Sequence, residues 1–163
     1  MSDTNDNETV YLPRSVYQRE AVALLILRFG LAWFLFVWAV NKILAPGQYA
    51  RIWGFFHGIE IDKVMPPIMG SLQIIICLAI ALGLWRVVTY ALGFLMHSVT
   101  MIVIFNDLIH PFIISDNGYP VNRNQSIALV AWVAFAAIWL LRHYDHWSLD
   151  AWIISKKTND STY

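Results

Sequence analysis

AVALLILRFGLAWFLFVWAVNK, residues 21–42, decides how the rest of the chain is read. About 20 apolar residues of helix cross a hydrocarbon core, and this run is apolar apart from Arg28 and its exit at Asn41-Lys42. Arg28 stands seven residues into the run, about 10 Å along a helix. A cation at that depth is costly in lipid and is expected to face protein or water. Pro46-Gly47 then stop the helix.

Three further apolar runs follow, giving expected spans at about 21–41, 66–85, 87–105 and 125–141. Pro66-Pro67 sit where a first helical turn tolerates proline, and Trp85-Arg86 separate the second and third spans by a tight turn. The expected fold is all-α: an integral membrane four-helix bundle over 21–142, after a polar tail at 1–20. Residues 143–163 hold a short interfacial helix and tail, with Ser148 as the helix cap and Lys156 and Lys157 at lipid head groups. Gly30, Ala32, Ala79, Gly83 and Gly93 are the small residues expected to let helices approach.

Composition agrees with a lipid environment: 58% of residues are hydrophobic and 13% charged, too few charges to dress a water-soluble domain of this size. The net charge of zero gives no general attraction to nucleic acid. Cys77, the single cysteine, lies in an apolar run and reads as a small buried hydrophobe. Residues 1–10, MSDTNDNETV, are polar and acidic and do not read as a cleavable signal. With an even number of spans both termini share a side. Arg14, Arg19, Arg86, Arg142, Lys156 and Lys157 fall there, against Lys42, Arg51, Lys63 and Arg123 opposite, so the termini are expected in the cytoplasm. The loops at 45–65 and 106–124 would face outside.

Three places carry a family resemblance. The opening span presents Arg28, Gly30, Phe34, Trp38 and Lys42; GSLQIIICLAIALGLWR, residues 70–86, is an apolar run ending on a basic residue; and WSLDAW, residues 147–152, closes the chain with Ser-Leu-Asp. In these the sequence resembles the DoxX family of small four-span membrane proteins, with Gln73 standing where members often carry glutamate. The resemblance implies a bacterial or archaeal cytoplasmic membrane. It also implies a subunit or accessory protein of a membrane redox complex: some relatives are subunits of a thiosulfate:quinone oxidoreductase, others are linked to redox homeostasis. Other membrane subunits would be partners, and quinone a possible ligand. The chain shows no redox-cofactor motif of its own. A non-catalytic structural or assembly subunit and a small transporter are the alternatives.

The residues offer two clusters. From their places along antiparallel spans, Arg28, Gln73 and His97 are expected at broadly similar depth. His97, Thr100 and Asp107 share an arc of roughly 80°, and Arg28 and Lys42 share a face. A polar seam could run from Arg28–His97 inside to Lys42–Asp107 at the outer edge, offering donors to a quinone carbonyl or a proton path. Alternatively, Arg28 bonds helix ends and a neighbour satisfies His97. The second cluster, His57, Glu60, Asp62, Asp107 and His110, has metal-ligand chemistry on the outer loops but no characteristic spacing. Haem is not expected, because no histidine pairs with His97 at matching depth.

Overall fold

The computed structural model describes residues 14–113, 122 and 125–160, and among these every regular element is helical. The order is α1 (Arg14–Leu44), α2 (Pro46–His57), α3 (Met65–Leu82), α4 (Arg86–Val103), α5 (Phe105–Ile109), α6 (Ser126–Leu140), a 3-10 turn at Arg142–Tyr144 and α7 (Leu149–Asp160). The tail at 1–13, Arg123 and most of the expected loop at 106–124 lie outside the described residues.

Three helices are long and apolar enough to cross a membrane: Ser15–Leu44, Met65–Leu82 and Arg86–Val103. Ser126–Leu140 is equally apolar but, at 15 residues, about 22 Å long. The outward faces are apolar too. Ile26, Trp33, Ile75, Ile102 and Val130 are each more than 60% exposed. Surfaces of that kind suit a lipid bilayer.

Two expected boundaries differ. Residues 14–20, read as part of a polar tail, form the first turns of α1, which is 31 residues and about 46 Å long. No breaker lies between Arg14 and Ala21, and this end of the helix has something to pack on. The Tyr17 ring meets His146 at 6.0 Å, and Ala21 and Leu24 are buried. The expected outer loop at 45–65 contains α2. Pro46 stands in its first turn, and Gly58 closes it in the left-handed conformation (φ 67°), donating its N–H to the Gly54 carbonyl.

α1 packs along α3 and α4 along α6, with α3 against α4 and α1 against α6 closing the set. The core between them takes Leu24, Leu31 and Leu35 from α1, Cys77 and Ile80 from α3, Tyr90 from α4, and Phe135 and Ile138 from α6. Two glycines within the helices stand at close helix–helix contacts. A Cβ at Gly70 would stand 2.6 Å from the Ala39 carbonyl oxygen of α1, and one at Gly93 2.7 Å from the Phe135 ring of α6. Gly30, expected at such a contact, has nothing within 4 Å and faces outward. Composition marked the small residues; which of them meet a neighbour depends on helix rotation.

Gly70→Val should therefore destabilise the protein by about 1–3 kcal/mol, because a backbone carbonyl cannot swing away as a side chain can. Gly30→Ala should cause no loss. Thermal unfolding of both variants in detergent checks the contrast.

Candidate functional site

Arg28 is 3% exposed and points into the protein. Its Nη1 donates to both carboxylate oxygens of Asp145, at 3.2 and 3.1 Å, and its Nη2 to the Trp147 carbonyl at 3.1 Å. Asp145 is fully buried and also accepts the Tyr90 hydroxyl at 2.6 Å. A buried guanidinium and carboxylate thus neutralise each other, with a phenol supplying a further hydrogen bond. Neither His97 nor Gln73, the expected partners, is bonded to Arg28.

The expectation failed on depth. α1 begins before its neighbours, so Arg28 lies level with the turn joining α3 to α4, where its Nη1 comes 2.5 Å from the position of a Cβ on Gly83. Gly83 ends α3 in the left-handed conformation (φ 65°), and Trp85 repeats that conformation (φ 49°) before α4 starts. The segment after α6 closes over this turn. Asp150 accepts the backbone N–H groups of Trp85 and Arg86 at 2.9 and 2.8 Å, capping α4 from a distant part of the chain. Its Oδ2 also lies 3.7 Å from Arg86 Nε. Arg86 in turn donates to the carbonyls of Arg142 and Asp145. Ser148 caps α7, its hydroxyl accepting the Ala151 N–H at 3.3 Å.

A second polar group lies at the opposite end of α1 and α3. Lys42 is buried and donates to the Gln73 side-chain oxygen, while Gln73 donates through Nε2 to the Leu35 carbonyl at 3.0 Å. The Tyr49 ring of α2 lies 4.9 Å from the Lys42 ammonium, close enough for a cation–π contact. Burial raises the Tyr49 phenol above its ordinary pKa, so it stays neutral. Cys77 stands one turn below Gln73, buried and free.

His97 lies between these ends, against Phe34 of α1 (5.4 Å, edge-on) and Phe135 of α6. Its Nε2 is 2.8 Å from the Ala128 carbonyl, which can only accept, so that nitrogen carries a proton. From Arg28 to Phe34 is six residues, about 9 Å along α1. The expected seam is therefore divided into three separate sites. Thr100 faces outward, and no ion pair joins Lys42 to Asp107 among the described residues. Of the metal candidates, Glu60, Asp62 and His110 are exposed, His110 bonding the Asn106 carbonyl. The His57 side chain lies outside the described residues. Among those described, no group of three or more His, Cys, Asp or Glu side chains is placed to hold a metal ion.

Sequence reasoning missed Asp145, Tyr90 and the capping role of Asp150. One signal was present: Asp145 is a carboxylate in HYDHWSLD, a few residues beyond the last apolar run. Comparison with protein-family models, curated proteins and solved structures gave no match to this chain.

Asp150→Ala should remove both N–H acceptors from the start of α4 and cost about 0.5–2 kcal/mol, with Asp150→Asn retaining part of the cap. Thermal unfolding in detergent reads the difference.

Proposed function

We propose that the chain is a DoxX-like, four-span subunit or accessory protein of a quinone-linked redox complex in a bacterial or archaeal cytoplasmic membrane, with both termini cytoplasmic. The fourth span is α6, lengthened by the residues on either side of it. One observation carries the reading. The three stretches that resemble the family meet in a single network: Arg28 from the first, Gly83 and Arg86 from the second, Ser148 and Asp150 from the third. Residues scattered along the sequence thus share one structural task, holding the closing segment over the α3–α4 turn. The Tyr17–His146 contact also puts the start of α1 beside that segment, which supports termini on one side.

Within such a complex, Lys42 is the group best suited to a quinone. Its ammonium has three N–H donors, of which Gln73 takes one, so a carbonyl oxygen could accept another. Arg28 and His97 are less suited, since Asp145, Trp147 and Ala128 already use them. That same use of polar groups inside the protein favours the second reading, a structural or assembly subunit that binds partner helices through its apolar faces.

Purification of the full chain from native membranes in mild detergent, followed by quinone extraction, separates the two. The quinone-linked reading expects bound quinone, lost in Lys42→Met but kept in Gln73→Leu, which removes the same Lys42–Gln73 hydrogen bond and leaves the ammonium in place. A stoichiometric partner with no quinone favours the structural subunit. Recovery of neither quinone nor partner would overturn both.

A further inference from the structure

α7 has more apolar surface than its place in the fold uses. Its first turn is fixed: Asp150 bonds the start of α4 by its carboxylate, and its own N–H donates to the Gly83 carbonyl at 3.3 Å. The rest of the helix leaves Trp152, Ile153 and Ile154 at 60, 45 and 60% exposed. At 100° per residue, Ala151, Ser155 and Thr158 gather on one arc. The other arc runs Trp152, Lys156, Ile153, Lys157, Ile154, so both lysines fall between apolar residues rather than opposite them. Lys156 also stands over the Trp152 ring at 5.7 Å.

That interleaving selects the partner. A protein groove covering this arc would have to bury two ammonium groups along with the apolar side chains. A phospholipid surface would not: apolar side chains and lysine stems enter the acyl boundary while the ammonium groups rise to the phosphates. The level is right as well. α7 starts at the turn that ends α3 and begins α4, and Trp85, Tyr144 and Trp147, all exposed, ring the same end of the protein. Aromatic side chains at one level mark a membrane–water boundary.

We propose that α7 lies in the membrane surface and binds anionic phospholipid head groups through Lys156 and Lys157, with Trp152, Ile153 and Ile154 immersed beneath them. This rests on membrane insertion of the bundle and is independent of the redox assignment.

The test uses the full chain with Cys77→Ala, a spin label at Ile153→Cys or Ser155→Cys, and a control label at the outward, mid-helix Leu95→Cys. Vesicles contain phosphatidylcholine alone or with one third phosphatidylglycerol, and collisions with oxygen and with chelated nickel report depth. In the anionic vesicles the label at 153 should be reached by oxygen and shielded from nickel, and the label at 155 the reverse. Removing phosphatidylglycerol, or Lys156→Gln or Lys157→Gln, should reduce the immersed population, by about fivefold per lysine. A label at 153 in water in both vesicles overturns the proposal, as does immersion indifferent to lipid charge and to both lysines. Shielding that disappears when the protein is diluted in lipid assigns the arc to a second copy and also overturns it. A Leu95 label in water would instead refute membrane insertion itself.

Discussion

A guanidinium removed from water must be given an anion, and in this chain the anion arrives 117 residues later. Arg28 sits on the longest helix and Asp145 beyond the last apolar one, so their pairing ties the first helix to the segment that follows α6. Once it forms, it fixes where the chain goes after α6. The carbonyls of Arg142 and Asp145 meet Arg86, the Trp147 carbonyl meets Arg28, and Asp150 reaches the bare N–H groups at the start of α4. Gly83 is the local condition for all of this. Its left-handed turn ends α3, and its lack of a side chain leaves room for Arg28 and Ser148.

The helices were legible in the sequence because long apolar runs are read by length and composition, and both survive small errors of register. The α3–α4 turn was legible from Trp85-Arg86, which interrupt the apolar pattern sharply; Gly83, expected as a helix-contact residue inside the span, instead ends α3 in the left-handed conformation. Contacts of Arg28 were not. Estimating its depth from the start of the apolar run assumed that neighbouring helices begin at one level. α1 instead runs past them, which moves Arg28 from the expected mid-membrane cluster to the level of the α3–α4 turn. The same shift brings Lys42, rather than Arg28, to Gln73. α2 was hidden because its amphipathic pattern is short and lies among loop-forming residues.

Separation of the polar groups divides the labour of the fold. One end is closed by matched charges, hydrogen bonds and caps, and its groups are occupied by each other. At the other end a lysine is held by an amide and an aromatic ring with no carboxylate partner among the described residues. Chemistry involving an outside ligand has more scope there, because an ammonium balanced only by neutral groups still gains from an anion or a carbonyl. His97, between the two, is spent on fastening α4 to α6 through the Ala128 carbonyl.

The dependence of the structure on the Arg28–Asp145 pair is most directly tested by a double-mutant cycle on unfolding of the full chain in detergent, using Arg28→Met, Asp145→Leu and both together. Removing one partner strands the other charge in a buried site, so each single change should cost about 3–5 kcal/mol. The double variant, with no charge left unpaired, should cost much less than the sum. Simple additivity of the two single costs would contradict the account, because it would mean that the two side chains do not depend on each other.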